Sequence, residues 1–290
     1  MMFRARPPTY RLRAGEFLIT LDRPVLVGIL NVTPDSFSDG GRFHSNDEAV
    51  AHALRMVEAG AAMLDIGAES SRPGAVPVTE AEETGRLLPV LEQIVRHCRV
   101  PISVDTTKAT VARRAIEAGA SLINDISAMR FDPAMGELAA KTGVGLILMH
   151  MPGTPQTMQQ QAVYVDVVSE VATYLAERRA AAEAIGVKSE QIVLDPGFGF
   201  GKLVPHNLAL LDRLSELCDL GRPLLVGLSR KSFIGQVTGR PVTEREFGTA
   251  AAVALAVERG AKLLRVHDVA HMADTVKFAE AMMRQRVHLG

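Results

Sequence analysis

The sequence has little cysteine, no excess of charge of either sign and no long hydrophobic run, and each shortage excludes a class of protein. Cys98 and Cys218 lie far apart and outside any CxxC or Cys/His spacing, so we expect reduced, buried thiols and neither a disulfide framework nor a zinc site. Lys+Arg total 32 and Asp+Glu total 33. This balance gives no excess of positive charge that would attract nucleic acid or a membrane surface.

Membrane and secretory segments are not predicted either. The apolar run at residues 250–257 is too short to span a bilayer, which needs about 20 residues. Four arginines precede residue 14, as a secretion signal could have, but residues 14–17 (AGEF) do not begin an apolar core. We therefore expect a cytoplasmic protein that binds no membrane.

A short β-branched run alternates with a longer amphipathic pattern along most of the chain. The predicted strands are 25–32, 63–68, 101–106, 122–127, 145–150, 192–197, 224–229 and 263–268. The predicted helices are 47–59, 80–98, 108–118, 133–142, 166–185, 206–217, 245–259 and 270–284. Strands that are hydrophobic throughout are buried on both faces of a parallel sheet. Eight such units predict the α/β class and a closed (β/α)8 TIM barrel, with residues 1–290 as a single domain. Residues 9–21 are expected to form a short N-terminal β-hairpin that plugs the N-terminal end of the barrel.

A repeated unit supports the barrel. Residues 58–65 (EAGAAMLD), 117–124 (EAGASLIN) and 258–265 (ERGAKLLR) each place a glycine where a helix needs a left-handed cap before the next strand. Each unit ends in a polar residue, which is Asp65, Asn124 or Arg265. A polar group at the same level of several strands is what the mouth of a barrel requires.

Polar side chains follow the predicted strands at their C-terminal ends, where barrel active sites are built. Asp105, Asn124 and Asp195 suit a flat heterocycle with paired N–H donors on one edge. The cations Lys231, Arg265 and His267 suit a phosphorylated group. The set indicates a base-like ring that carries a phosphate or pyrophosphate, whereas Thr106, Thr107 and Asp132 are interpreted as helix caps.

Three loops at the same end are unusual. Residues 31–41 and 65–74 each contain glycine and proline together with acidic and hydroxyl side chains, as loops that close over active sites often do. Residues 195–202 (DPGFGFGK) resemble a phosphate loop, but Leu203 replaces the Ser or Thr that follows the lysine of a nucleotide-triphosphate loop. A nucleotide-triphosphate site is therefore not predicted.

Taken in order, these segments resemble the signature segments of the dihydropteroate synthases. The matching segments are 28–41, 65–74, 102–106, 123–126, 149–151, 195–202, 229–233 and 265–269, within a resemblance that extends from residue 25 to residue 269. The resemblance implies a transferase of folate biosynthesis that condenses 6-hydroxymethyl-7,8-dihydropterin pyrophosphate with p-aminobenzoate, giving 7,8-dihydropteroate and pyrophosphate. It also implies Mg²⁺ as cofactor, a sulfonamide target and a homodimer, for which residues 250–257 and the last helix offer a face.

The resemblance also implies roles for individual residues. Pterin binding is expected from Asp105, Asn124, Asp195 and Lys231. Pyrophosphate binding is expected from Asn31, Ser71, Arg72, Arg265 and His267, with Mg²⁺ on Asn31 and Asp39. p-Aminobenzoate binding is expected from Phe37, Ser71, Arg72, Pro73, Lys231 and Ser232. Catalytic roles are expected for Asp35, Asp39, Lys231, Arg265 and His267, with Asp35 or Asp39 stabilising a cation at the reacting methylene. Asp65 and His150 are interpreted as lying behind the residues that touch the ligand.

Two departures from the family pattern and two alternative functions remain at this point. Ala68 stands where the family usually has glycine, and Ser71 where it usually has threonine, so we expect altered affinity and not inactivity. A methyltransferase that uses a folate could share Asp105, Asn124 and Asp195, but it would not need a pyrophosphate site. A pterin-binding paralogue without catalytic activity is the other alternative.

Overall fold

The computed structural model describes residues 8–32, 41–69 and 74–288. Strands β1 to β10 are Tyr10–Ala14, Phe17–Leu21, Val25–Asn31, Ala61–Gly67, Ile102–Asp105, Leu122–Asp125, Gly145–Met149, Ile192–Asp195, Leu225–Gly227 and Leu263–Val266. Helices α1 to α10 are Gly41–Glu58, Glu80–His97, Ala109–Glu117, Ala134–Thr142, Val167–Ile185, Val204–Asp212, Leu214–Leu217, Ser232–Thr238, Glu246–Glu258 and Val269–His288. Within these residues, no helix combines the length and apolar character needed to cross a membrane.

Strands β3 to β10 form a parallel barrel, which confirms the predicted fold. The strand order is β8-β7-β6-β5-β4-β3-β10-β9, and all neighbouring strands are parallel. A bridge between Leu194 and Leu224 joins the two ends of this sheet, and the Leu194 N–H donates to the Pro223 carbonyl at 3.0 Å. The sheet therefore closes on itself, with helices around it.

The hairpin of β1 and β2 covers the N-terminal end of the barrel, as predicted. Its residues Leu12 and Leu21 are fully buried, and they belong to one apolar cluster with residues from the first half of the barrel strands, among them Met63 and Leu263. The Gly15 N–H in the hairpin turn donates to the Gly143 carbonyl just before β7 at 3.1 Å. Water is excluded from this end of the barrel.

The repeated glycines adopt the backbone conformation that their positions predict. Gly60, Gly119 and Gly260 have φ angles of 104°, 107° and 100°, a left-handed region that costs glycine little. Asp132 caps two helices, because its carboxylate accepts from the Ala109 N–H at 2.8 Å and the Ala134 N–H at 3.0 Å.

Several details of the fold differ from prediction, and the first is that α1 begins at Gly41, six residues before the predicted position 47. The helix predicted at 206–217 is interrupted at Arg213 and forms α6 and α7, and the short helix α8 was not predicted. Strand β4 begins two residues before the predicted position 63, because Ala61 already pairs with Leu26 of β3. Cys98 and Cys218 are half-buried instead of buried, since both lie where helical segments reach the outer surface of the barrel.

Candidate active site

A cavity opens at the C-terminal ends of the barrel strands. Its polar lining consists of Asp105, Asn124, Asp195, Lys231 and Arg265, all predicted site residues. Its remaining lining consists of Ile126, Met149, Gly197, Phe198, Phe200 and Gly227. The cavity thus presents three acceptor-bearing side chains and two cations within apolar walls, as expected for a flat polar ring.

The alternation of side chains along each strand explains why these residues converge. Asn124 follows the buried Leu122 by two residues, and Asp195 follows the buried Val193 by the same interval. Residues two apart on a strand point to the same side of the sheet. The apolar side chain therefore fills the barrel interior and the polar one enters the mouth directly above it.

Arg265 is the centre of a buried network of charges. Its Nε donates to Asp65 Oδ2 at 2.5 Å, and its terminal nitrogen Nη2 donates to Asp105 Oδ2 at 3.1 Å. Burial lowers the pKa of Arg265, but Asp65 and Asp105 outweigh this effect and the pKa is raised above its usual value. Arg265 therefore stays charged in the mouth and holds two carboxylates that would otherwise repel each other.

Asp65 lies behind this network, where it orients two ligand-facing residues. Its side chain is 1% exposed, and Oδ2 also accepts from the Asn124 Nδ2 at 3.2 Å. Because the amide nitrogen of Asn124 is bound to Asp65, its Oδ1 is the free end of the side chain. Asn124 Oδ1 is buried and has no hydrogen-bond partner among the described residues. A buried acceptor left unpaired costs about 1–3 kcal/mol, which a ligand N–H in the cavity would recover.

The two acidic lining residues have strongly shifted pKa values. Burial raises the pKa of Asp105 to about 7, with the charges of Asp65, Glu83 and Asp125 acting in the same direction and Arg265 opposing them. Burial also raises the pKa of Asp195 to about 6, although the Gly197 N–H donates to its Oδ1 at 2.7 Å. Both carboxyl groups therefore titrate near neutral pH, as groups at functional sites often do.

Lys231 lines the same cavity as Asp105 and Asp195, and the charges of both carboxylates act on it. Its Nζ is 4.2 Å from the centroid of the Phe200 ring, a cation–π contact that fixes the ring and the ammonium group together. Burial, followed by the charge of Arg265, lowers the pKa of Lys231 to about 8. The group is thus available to a negatively charged or electron-rich ligand.

The remaining candidates lie around the rim. His267 Nδ1 is 3.0 Å from Ser229 Oγ, a contact that joins the ends of β9 and β10. Asn31 ends β3 beside Gly67, where a Cβ atom would stand 3.9 Å from Asn31 Oδ1 and 3.6 Å from Asp105 Cβ. A Cβ at position 67 would make ordinary van der Waals contact with both residues, so Asn31 and Asp105 flank Gly67 at the mouth. Ser232 is exposed at the start of α8, directly after Lys231.

Several predicted site residues lie outside the described part of the chain. They are Asp35, Phe37, Asp39, Ser71, Arg72 and Pro73. Ala68 can be assessed, and it is not among the described residues with a positive φ, so this position does not require glycine. The departure from the family pattern at Ala68 therefore carries no backbone strain.

Sequence reasoning missed the apolar walls and the role of one lysine. Met149 follows Ile147 by two residues, so the alternation that identified Asn124 and Asp195 could also have identified it. Lys202 received no role from the sequence beyond ending a loop that resembles a phosphate loop, whereas its Nζ is turned into the protein and is 2.9 Å from His150 Nδ1. His150 is buried, as expected, and does not line the cavity.

Comparison with known proteins gives a consistent result. Residues 27–267 match a family described as "Pterin binding enzyme". The chain is 47% identical to dihydropteroate synthase of Escherichia coli strain K12 over 273 residues, which cover 94% of this chain and 96% of the relative. Dihydropteroate synthase of Xanthomonas albilineans with 4-aminobenzoic acid has a TM-score of 0.89 and 48% identity, covering 95% of this chain and 98% of that one. The Yersinia pestis dihydropteroate synthase in a sulfonamide drug complex has a TM-score of 0.88 and 45% identity, covering 94% and 98%.

Proposed function

The chain belongs to the dihydropteroate synthase family of pterin-binding enzymes. From this premise we propose which residues at the mouth of the barrel bind each part of the substrates. It is a transferase of folate biosynthesis that condenses 6-hydroxymethyl-7,8-dihydropterin pyrophosphate with p-aminobenzoate, giving 7,8-dihydropteroate and pyrophosphate. The observation that carries the assignment of residues is the convergence of Asp105, Asn124 and Asp195 on one cavity whose cations are Lys231 and Arg265.

The pterin ring occupies the cavity in this proposal. Asp195 and Asn124 accept from the amino and amide N–H groups of its edge, because a carboxylate can accept paired N–H bonds from such an edge. Asp105 accepts from the opposite side, and Lys231 and Phe200 border the face of the ring. The unpaired Asn124 Oδ1 and the raised pKa values of both carboxyl groups support this placement, since a donor-rich ring would satisfy all three residues.

The pyrophosphate is assigned to the rim, to Arg265, His267 and Asn31, with Ser71 and Arg72 from the second loop. Negative charge builds on the departing oxygen, so cations already in place lower the barrier. Arg265 is well suited because its Asp65 contact fixes it before substrate arrives. The carbon that the pyrophosphate leaves becomes electron-poor, and we assign its stabilisation to Asp35 or Asp39.

Magnesium is the proposed cofactor, with Asn31 and Asp39 as its protein ligands. Mg²⁺ prefers oxygen ligands and is typically bound through one or two protein side chains together with substrate phosphates. The amide oxygen of Asn31 is such a donor and lies at the rim near Arg265's partner Asp105, so the described part of the site fits the ion. When bound, Mg²⁺ would neutralise charge on the leaving pyrophosphate.

The p-aminobenzoate is assigned to the outer part of the mouth. Lys231 and Ser232 are proposed to bind its carboxylate, and Phe37, Ser71, Arg72 and Pro73 to enclose its ring. Lys231 and Ser232 support this because they are consecutive at the start of α8 and Lys231 lines the cavity, while Ser232 is exposed. The aryl amine is weakly basic and attacks without a strong general base.

The assay is pyrophosphate release with dihydropterin pyrophosphate, p-aminobenzoate and Mg²⁺, repeated with each component omitted and with a sulfonamide added. We expect release that requires all three components and is suppressed by the sulfonamide. Pterin binding without release would favour the paralogue that lacks catalytic activity. Methyl transfer to or from a folate, without pyrophosphate release, would favour the methyltransferase.

We also propose a homodimer formed through α9 and α10, which pack side by side. Phe247 and Leu255 on α9 and Phe278 and Met282 on α10 are large apolar side chains exposed to solvent, with Phe247 88% and Phe278 77% exposed. Exposed apolar surface of this kind marks interaction sites. In sedimentation equilibrium, Phe247→Lys with Phe278→Lys should give a monomer, whereas Val165→Lys, at an exposed position just before α5, should not. A cytoplasmic location is proposed as well, supported by the thiols of Cys98 and Cys218.

A further inference from the structure

Lys202 is a buried lysine whose partners include no carboxylate. It is 4% exposed, and its Nζ donates to the carbonyl oxygens of Gly197 and Phe200, each at 2.9 Å. The third close neighbour is His150 Nδ1, also at 2.9 Å. The three N–H donors of the ammonium group thus meet three acceptors at 2.9 Å, and the His150 carbonyl oxygen is a fourth, more distant one at 3.4 Å. Two of these acceptors belong to the loop that Lys202 itself ends, residues 195–202.

This loop lies against another segment of the chain so closely that two of its positions exclude a side chain. A Cβ atom at Gly197 would stand 2.0 Å from the His150 carbonyl oxygen, and one at Gly201 would stand 2.3 Å from Pro152 Cγ. Gly197 and Gly201 also have positive φ angles, of 69° and 58°. Such a backbone turns carbonyl groups inward, where an unpaired one would be costly. Lys202 supplies the missing donors.

The same loop forms two walls of the pterin cavity. The Gly197 N–H donates to Asp195 Oδ1 at 2.7 Å, so a single residue binds Asp195 through its N–H and Lys202 through its carbonyl. Phe200, whose carbonyl Lys202 also binds, places its ring 4.2 Å from Lys231 Nζ. Lys202 itself does not line the cavity.

We propose that Lys202 is a positioning residue for the pterin: its ammonium group, with His150 as an acceptor, holds Gly197 and Phe200 so that Asp195 and the Phe200 ring face the ligand. The inference rests on the proposed function, because it presumes that the cavity holds the pterin. The loop has two polar side chains, Asp195 and Lys202. Asp195 contacts the ligand, and Lys202 holds the loop that presents it.

The contacts also specify which nitrogen of His150 carries its proton. An ammonium group can only donate, so with Lys202 protonated the contact at 2.9 Å requires a neutral imidazole with its N–H at Nε2. Burial, followed by the charge of Lys202, lowers the pKa of His150 to about 2, which agrees with a neutral ring. Burial lowers the pKa of Lys202 to about 7, with Asp195 acting against this shift and Lys231 acting with it, and Arg130 also acts on His150. We expect ¹⁵N NMR of His150 to show an unprotonated Nδ1 between pH 5 and pH 6, where Lys202 is protonated.

Lys202→Met tests the proposal, with Lys262→Met as a matched control. Lys262 is also buried, at 3% exposed, and its Nζ donates to the Asp22 carbonyl at 3.3 Å near the opposite end of the barrel. We expect Lys202→Met to raise the KM for dihydropterin pyrophosphate about 10- to 100-fold, as displaced binding groups do. Lys262→Met should leave this KM within about twofold of wild type, whatever its effect on stability. Equal KM values in the two variants would overturn the proposal.

Two further variants keep the test informative if Lys202→Met folds poorly. His150→Asn retains an acceptor close to the position of Nδ1, whereas His150→Phe retains a ring without an acceptor. We expect tighter pterin binding by His150→Asn than by His150→Phe, measured by calorimetry with a non-reacting pterin. Identical affinities would contradict the proposal. Because calorimetry requires no turnover, a wild-type protein that binds the pterin but releases no pyrophosphate would refute only the proposed function.

Discussion

The two ends of the barrel differ in chemistry although the same strands build both. Near their starts, β4, β6, β8 and β10 turn the apolar residues Met63, Leu122, Val193 and Leu263 into the interior. Two residues later the same strands carry Asp65, Asn124, Asp195 and Arg265. The two sets of side chains form successive layers about 7 Å apart. The charged groups of the mouth therefore lie next to an apolar layer that excludes water, which we call the floor.

This comparison explains where the unusual pKa values come from. The floor and the hairpin below it exclude water, and burial is the largest cause of the raised pKa of Asp105 and Asp195. A carboxyl group in low-dielectric surroundings resists ionisation until a partner satisfies it. The apolar end therefore helps to set the pKa of both carboxyl groups, although it lies one layer of side chains away from them.

The largest expected effect is that of shortening a floor residue. Leu263→Ala should lower the free energy of unfolding by about 2–5 kcal/mol, because it leaves a cavity in a closely packed layer. Chemical denaturation measures this loss. Residual kcat/KM at a temperature where the variant is folded should stay within about twofold of wild type. A large loss of kcat/KM without loss of stability would show that floor and mouth are not separable.

The next effect belongs to the mouth. Asp195→Asn should lower kcat/KM for the pterin substrate by an amount equivalent to about 2–4 kcal/mol, because it removes a charged acceptor from the buried edge. Its free energy of unfolding at pH 8 should not decrease, since a buried carboxylate with a raised pKa is costly to ionise. A kinetic effect below about 0.5 kcal/mol would remove Asp195 from the pterin site.

The pH dependence should be intermediate in size. The pKa values of Asp105 and Asp195 are raised to about 7 and about 6, so both acceptors become protonated as pH falls through this range. We expect kcat/KM for the pterin substrate to decrease below pH 7, about tenfold per pH unit where one group limits binding. The Asp105→Asn variant should retain only the lower step. A profile that is flat between pH 5 and pH 8 would contradict these shifts.

The smallest effect is expected for an unpaired polar atom at the apolar end. Tyr10 OH is buried without a hydrogen-bond partner among the described residues, like Asn124 Oδ1 at the mouth. Tyr10→Phe should change the free energy of unfolding by less than about 1 kcal/mol, or increase it, because the hydroxyl gains little from its surroundings. Kinetic constants should not change. A measurable loss of pterin affinity would show that the two ends communicate.

Most of the fold was predictable, since the barrel depends on local signals. Apolar strands and the glycines at positions 60, 119 and 260 recur at the same place in each unit. The break at Arg213 was not predictable, because the apolar pattern of α6 and α7 continues across it. Strand ends were also missed by one or two residues, since the neighbouring ladder decides where pairing stops.

The candidate site was predictable in its components but not in its connections. The polar ends of strands identified Asp105, Asn124, Asp195 and Arg265. The pairing of Arg265 with Asp65 joins residues 200 positions apart, which no local pattern reveals. The inward turn of Lys202 depends on its approach to His150, 52 positions earlier. A motif that ends in Gly-Lys looks the same whether the lysine faces a ligand or the protein.

The closure of the barrel between β8 and β9 has a mechanical consequence. A single bridge from Leu194 to Leu224 joins these strands, whereas each of the other neighbouring strand pairs has at least three paired residues. Such a seam is where local opening costs least. Asp195 stands on one side of the seam and Lys231 on the other. A pterin bound to both residues would oppose the separation of β8 and β9. Amide hydrogen exchange along the seam would then slow as the ligand fills the cavity.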